Sequence, residues 1–221
     1  MHVTIIIPTF DRIQSLQRTI KSIRNSSHKE ISIIVVVDGK KAMLEEVMKE
    51  PVTIMFNERR MDWPACQNKA IGSWAWTDGV LYGADDIEFP PEGIATAVKA
   101  MEKYFPDGDG LIGLDQDCRP KIDSAFGLMG RKFIERFPFR TAFCPQYIHF
   151  FSDAEIGAYA KSIKKFYFCK EVILKHTRAQ DNTYALGMAK WAKDRATWQE
   201  RAKKGYLWGR NFSLIGDVKC S

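Results

Sequence analysis

Asp85 and Asp86 stand side by side directly after the apolar run Val80-Leu81-Tyr82-Gly83-Ala84. A strand that delivers two carboxylates to its carboxyl end builds a site for a hard divalent cation, because Mg²⁺ and Mn²⁺ prefer oxygen ligands and keep positions open for phosphates. Other chemically capable residues follow apolar runs in the same way. Asp11 and Arg12 come after Val3 to Ile7, Asp38-Gly39 comes after Ile31 to Val37, and His176 ends the run from Val172 to Lys175. Each also has a plain structural reading. Asp38-Gly39 serves as a turn, Asp11 as a helix N-cap, and Asp153 with Glu155 as carboxylates favoured at a helix amino terminus.

The elements that must position these groups alternate between strand and helix. Val3 to Ile7 is a β-branched run, and Ile13, Leu16, Ile20 and Ile23 then recur at helical spacing, with Asp11 placed to cap that helix. Ile31 to Val37 is apolar without alternation, as befits a parallel strand covered on both faces. A helix from about Lys40 to Lys49 stops before Pro51, and Val52 to Phe56 makes a third strand. Pro64 opens another helix at its first turn, running to about Trp74, and Val80 to Ala84 is the fourth strand. Ile94, Val98 and Met101 mark a helix ending near Phe105, and strand character resumes at Leu111 to Leu114. That order implies a parallel sheet with right-handed crossovers, whose ligands bind outside the carboxyl ends of the strands.

The chain has 221 residues, 45% hydrophobic and 12% aromatic, enough for one substantial core. No apolar run approaches the roughly 20 residues of a membrane-spanning helix. The amino terminus enters a strand pattern with no basic region before it, so no signal peptide is expected. Cys66, Cys118, Cys144, Cys169 and Cys220 are scattered and never spaced C-x-x-C, which argues against a disulfide framework or a structural zinc site and for a reducing cytoplasm, with the chain soluble or peripheral. The net charge of +6 is concentrated late. Between Lys161 and Lys204 twelve Lys or Arg face four Asp or Glu, leaving about −2 for the rest. Such a bias suggests an anionic partner, against the plainer reading of a solvated helix face.

Together these residues resemble the inverting, metal-dependent nucleotide-sugar glycosyltransferases of the GT-A fold, especially the large family 2. Val3-Thr4-Ile5-Ile6-Ile7-Pro8-Thr9-Phe10-Asp11-Arg12 is similar to that family's opening strand and nucleotide-binding turn, and Ile34-Val35-Val36-Val37-Asp38-Gly39 to its second strand. Ala65-Cys66-Gln67-Asn68-Lys69-Ala70 matches the helix before the metal strand, and Gly83-Ala84-Asp85-Asp86 the metal motif. Ser152-Asp153-Ala154-Glu155-Ile156 resembles the helix-opening segment that carries the catalytic base. The resemblance covers about residues 3 to 180. It implies a nucleotide site of Pro8, Thr9, Phe10, Asp11, Arg12, Asp38, Asn68, Lys69 and Asp85, with Asp38 accepting a hydrogen bond from the base imide. It also implies Mn²⁺ or Mg²⁺ on Asp86 and His176, Asp153 as general base, and UDP as the favoured nucleotide.

Two departures carry meaning. The family's D-x-D would place an aspartate at Gly83, so the ribose contact of that carboxylate has no counterpart here. Gln67 stands where arginine is common, which leaves Arg59, Arg60 and Lys69 as candidates for the phosphate or base contact. The expected organisation is an α/β GT-A domain over 1–180, its mostly parallel sheet flanked by helices, followed by a basic helical segment over 181–221 packed near the acceptor site. Within that segment a helix from about Thr183 to Lys204 carries Leu186, Trp191 and Trp198 among cations, a combination able to hold a sugar, a lipid-phosphate head group or a nucleic acid strand. The other tryptophans read as packing or acceptor-cleft walls, and His2, His28 and His149 as without a functional setting.

The acceptor is thus a saccharide, a lipid-linked sugar or a hydroxylated DNA base. A nucleotidyltransferase would also use a parallel sheet and an aspartate-held Mg²⁺, yet there is no Gly-rich, Lys- or Arg-bearing loop after the first strand. A non-catalytic nucleic-acid-binding module would account for the basic tail and leave the aspartates without a purpose.

Overall fold

The computed structural model describes residues 1–73, 77–118, 122–177 and 180–210. Its strands are β1 (Val3–Thr9), β2 (Ile31–Asp38), β3 (Thr53–Asn57), β4 (Gly79–Tyr82), β5 (Ile87–Glu88), β6 (Leu111–Gln116), β7 (Gly127–Gly130) and β8 (Phe166–His176). They form one sheet in the order β3-β2-β1-β4-β7-β6-β8-β5. The pairings β3-β2, β2-β1, β1-β4 and β6-β8 are parallel, while β7 runs antiparallel to β4 and β6, and β5 antiparallel to β8.

The amino-terminal strands are buried end to end because they are β-branched on both faces. Every residue of β1 is buried, as is β2 from Ile34 to Asp38. One core lies between the sheet and α1 (Ile13–Arg24), α2 (Lys41–Val47) and α4 (Gly93–Tyr104); it includes Leu16, Ile20, Val35, Ile94 and Leu174. The second lies under α3 (Trp63–Ser73), α5 (Arg131–Ile134) and α6 (Ser152–Ser162), around Ile6, Val36, Tyr82, Phe133 and Phe143. Removing these side chains from water on both faces is the main drive for the fold.

Three local expectations need correction. Asp11 does not cap α1. The N-cap position is Arg12, without a side-chain cap, and Asp11 instead forms an ion pair with Lys40. The strand before the two aspartates ends at Tyr82, with Ile87–Glu88 resuming as β5 beyond them, so Asp85 and Asp86 lie in a connection and not on a strand. The single late helix is two, α7 (Asn182–Met188) and α8 (Trp191–Lys203). The break follows Gly187, a weak helix former whose missing side chain leaves room for the His149 ring, 3.1 Å from where a Cβ would stand. The expected end of α3 at Trp74, the Trp76 reading and the tail from 211 to 221 with Cys220 fall outside the described residues.

The carboxyl-terminal helices are bound to the sheet domain by buried polar groups. Glu155, on α6, accepts from Arg201 Nε (2.9 Å) and Nη2 (2.6 Å), from the Tyr147 hydroxyl (2.6 Å) and from the Trp208 amide (2.6 Å). These hydrogen bonds offset part of the cost of taking the two charges out of water, and removing either partner would leave the other charge buried alone. The basic residues of this segment are therefore not one solvated face.

Candidate active site

A cleft of about 450 Å³ opens over the carboxyl ends of β1, β2 and β8 and over the connection after β4. Asp38, Asp85, Asp86, Asp153 and His176 all line it, with Pro8, Thr9, Phe10 and Arg12. Thus the three acidic positions 38, 86 and 153, far apart in the chain, share one cavity. Asp11 stays outside with Lys40. Asn68 and Lys69 are also off the cleft. The Asn68 amide is used up on the Phe143 backbone, donating to its carbonyl (2.7 Å) and accepting from its N–H (2.9 Å), and Lys69 reaches Asn57 (2.5 Å). Gln67, fully buried, donates to the carbonyls of Ile6 and Gly83 and so ties α3 to the ends of β1 and β4.

Asp85 accepts from the Thr9 hydroxyl at 2.8 Å. Arg12 reaches both carboxylates, its Nη1 standing 3.5 Å from Asp85 and 3.0 Å from Asp86, while Nε and Nη2 grip Asp181 at 2.7 and 2.8 Å. Burial and the neighbouring charge of Asp86 push the Asp85 carboxyl up to about 7, against the pull of Arg12. Burial acts on Asp86 in the same direction, but a hydrogen bond and charge from His176, together with Arg12, outweigh it and hold Asp86 below the ordinary carboxylate value. Two adjacent buried carboxylates resist ionising together.

Whether these donors suit a divalent cation is decided at His176. Its Nε2 faces Asp86 Oδ1 at 3.4 Å, while Nδ1 lies 2.8 Å from Gln116 Oε1. With Nδ1–H donating to Gln116, the Nε2 lone pair and the carboxylate oxygen are two acceptors pointed at each other, an arrangement that a proton or a cation resolves. Among the described residues no group of three or more His, Cys, Asp or Glu is placed to hold a metal. Two protein donors suit Mg²⁺ or Mn²⁺, which fill their other positions with water and substrate phosphates. The residues present fit such an ion.

On the other side of the cleft Asp38 organises a loop. Its carboxylate accepts from Asn57 Nδ2 (3.0 Å) and from the amides of Met61 and Asp62 (both 2.8 Å). Gly39 makes this approach possible, since its φ is +82° and a Cβ would fall 2.6 Å from the Arg60 nitrogen. Asp62, whose φ is +67°, accepts from Arg60 Nε (2.8 Å) and pairs with Lys190 at the N-cap of α8, with His149 Nδ1 3.7 Å away. The Arg60 guanidinium lies 4.4 Å from the Phe10 ring centroid, and its Nη1 is buried without a hydrogen-bond partner among the described residues.

Asp153 occupies the first turn of α6. Enclosure by protein pushes its carboxyl up to about 6, although the amides of Ala154 and of Asp153 itself pull the other way. The loop before it is fixed by α8: buried Asp194 accepts from the amides of Ile148 (2.9 Å), His149 (2.7 Å) and Phe150 (2.8 Å). Phe151, at φ +70°, then stacks on Trp198 at 5.9 Å. Tyr184, Met188 and Trp191 form the cleft wall supplied by the carboxyl-terminal helices.

Sequence reasoning missed Asp62, His149, Lys190 and Asp194, which carry no motif, and Asp181, which did carry a signal. Asp181 begins the Asp-Asn-Thr-Tyr run before α7 and caps it, accepting from the Tyr184 amide at 2.9 Å.

Residues 4–113 match the model of glycosyl transferase family 2. None of the curated protein sequences matches the chain significantly. Among solved structures it is similar to a mannosyltransferase from Pyrobaculum calidifontis in complex with GDP-Man and Mn²⁺ (TM-score 0.64, 15% identity, 84% of this chain and 59% of that one). It is also similar to S. aureus TarS (TM-score 0.55, 15% identity, 80% and 37%) and to GalNAc-T7 with UDP, GalNAc and Mn²⁺ (TM-score 0.64, 13% identity, 80% and 44%). The chain spans about three fifths of the mannosyltransferase and less than half of the other two. At these identities the likeness shows the fold, which is GT-A.

Proposed function

The chain carries a glycosyl transferase family 2 domain on a GT-A fold, and on that premise we propose that it moves a sugar, with inversion, from a nucleotide diphosphate to an acceptor hydroxyl. The observation that carries this reading is the convergence of Asp38, Asp86, His176 and Asp153 on one cleft at the carboxyl ends of the strands. UDP is the proposed nucleotide.

Each wall of the cleft has a task in this reading. Asp38, fixed by Asn57 and by the amides of its loop, lines the cleft, where a base imide N–H would approach its carboxylate. Phe10 and Arg60 flank that position, and the unpartnered Nη1 of Arg60 is a donor for a base carbonyl or phosphate, a role for which Lys69 is turned the wrong way. Thr9 and Arg12 hold Asp85 and Asp86 in place for the donor end. Asp86 and His176 would hold Mn²⁺ or Mg²⁺, which when bound supplies positive charge against the departing diphosphate.

Asp153 is proposed as the general base. An acceptor hydroxyl needs its proton removed as it attacks, and a carboxyl with a pKa near 6 is ionised at neutral pH yet more basic than an ordinary aspartate. A single displacement by that hydroxyl inverts the anomeric centre. The basic carboxyl-terminal segment, with Trp191 and Tyr184 on the cleft, is proposed as the acceptor side, for a saccharide, a lipid-linked sugar or a hydroxylated DNA base. Cys66, Cys144 and Cys169 form no disulfide among the described residues, in keeping with a proposed cytoplasmic site of action.

The test is incubation with a panel of nucleotide sugars, with and without Mn²⁺. Metal-dependent release of nucleoside diphosphate supports the reading. Release of pyrophosphate from a nucleoside triphosphate instead would replace it with nucleotidyl transfer.

A further inference from the structure

The carboxyl ends of β6 and β8 are tied to one another just behind His176. Asp117, one residue past β6, donates its amide to the Leu174 carbonyl (3.0 Å) and accepts from the His176 amide at its Oδ1 (2.9 Å). The Phe126 ring stands edge-on to the imidazole, with 5.2 Å between centroids. Gln116, only 1% exposed, meets the same ring with its Oε1 2.8 Å from Nδ1. Cys118 completes the group, its Sγ 3.5 Å from that Oε1 and 3.4 Å from Nδ1.

The Gln116 amide stands in the less satisfied of its two orientations. Its Nε2 is buried with no hydrogen-bond partner among the described residues. A buried donor left unpaired is unfavourable, and turning the amide over would offer one of those N–H groups to the Nδ1 lone pair. The thiol supplies a reason for the orientation observed. An S–H donor is met by the amide carbonyl and by nothing on the NH₂ group, so Oε1 gathers two hydrogens, one from Sγ and one from Nδ1. A neutral imidazole carries a single N–H. With that proton on Nδ1, Nε2 is left bare where it faces Asp86 Oδ1 at 3.4 Å.

We propose that Gln116, oriented by Cys118, is the positioning residue that keeps His176 in its Nδ1–H form and so makes Nε2 a ligand for a divalent cation. An imidazole bound to a metal through one nitrogen donates from the other, and the partner of that second nitrogen sets the tautomer and the direction of the first. The inference rests on the metal role proposed for Asp86 and His176, and it names the two side chains that prepare the histidine for it. The tautomer itself needs no metal to be observed.

The test is a two-bond proton–nitrogen correlation spectrum of the full, metal-free chain with ¹⁵N-labelled histidine at pH 8, with His176 assigned by comparison with His176→Ala. The signature of Nδ1–H is expected in the wild type and in Cys118→Ser, and a shift toward Nε2–H in Cys118→Val. Calorimetric Mn²⁺ titration in the presence of UDP gives the second readout. Gln116→Leu should weaken Mn²⁺ by about tenfold to a hundredfold, and Gln116→Glu, whose carboxylate accepts the same proton, should restore it. In a His176→Ala background Gln116→Leu should have no further effect. Nε2–H in the wild type overturns the proposal, as does wild-type Mn²⁺ affinity in a folded Gln116→Leu chain. An equal loss with and without His176 also overturns it, because Gln116 would then be acting through the fold. If Gln116→Leu does not fold, loss of Mn²⁺ affinity in a folded Gln116→Glu chain is the overturning result. A wild type that shows Nδ1–H yet binds no Mn²⁺ would support the tautomer assignment and count against the metal role of Asp86 and His176.

Discussion

Asp153→Asn separates catalysis from stability in a way that a structural carboxylate would not. Burial raises this carboxyl from 3.8 to about 6. The folded state therefore holds on to a proton that the unfolded chain has released between those two pH values, so stability falls as pH rises through that window. Above pH 6 the full penalty is present, about 3 kcal/mol at 1.36 kcal/mol per decade of the equilibrium. Asparagine has no charge to desolvate and keeps the shape, so the variant should be more stable at pH 7 by up to about that amount, a rise in melting temperature of roughly 6–12 °C for a chain of this size. Below about pH 4 the two proteins should melt together. Turnover should move the opposite way. Loss of the base should lower kcat by about 10² to 10⁴ with little change in donor KM, and the wild-type rate should rise with pH through about 6 while the residual rate of the variant does not. The assays are calorimetric melting at pH 4 and 7 and a pH profile of nucleoside diphosphate release. A variant with near wild-type kcat, or one less stable at pH 7 than its parent, would refute the argument.

Other consequences concern the walls of the cleft. His176→Ala should remove most Mn²⁺-stimulated activity while the fold is retained, and chelation should bring the wild type down to the level of the variant, as read by titrating Mn²⁺ against product release. Asp38→Ala leaves the amides of Met61 and Asp62 without their acceptor; a destabilisation of about 1–3 kcal/mol by denaturant melting and a higher donor KM are expected. Glu155→Ala strands the buried Arg201 guanidinium and should cost about 3–5 kcal/mol. Asp194→Ala should lower kcat although the residue lies outside the substrate path, because the 148–150 amides lose their anchor and the turn that positions Asp153 loosens; hydrogen exchange at those amides should rise with it.

What could be read from the residues alone is what depends on near neighbours. Unbroken β-branched runs such as Ile34 to Val37 are only stable when covered on both faces, and helical spacing at Leu16, Ile20 and Ile23 has only one wet side, so the alternating strands and helices followed from local chemistry. Carboxylates placed just after such runs had to arrive at one edge of a parallel sheet, which is why Asp38 and Asp86 could be anticipated from local chemistry, while His176 was expected from the family resemblance. The groups that only the tertiary structure revealed are joined by contacts across long stretches of chain: Arg12 to Asp181, Asp62 to Lys190, Asp194 to the 148–150 amides. Asn68 shows the converse, since its place in a family-like segment pointed to the nucleotide, while the nearness of the Phe143 backbone consumed its amide. The division is physical. Periodicity and local propensity act over a few residues, whereas the direction a polar side chain takes is set by whichever partner the folded chain brings within 3 Å, and packing alone decides that partner.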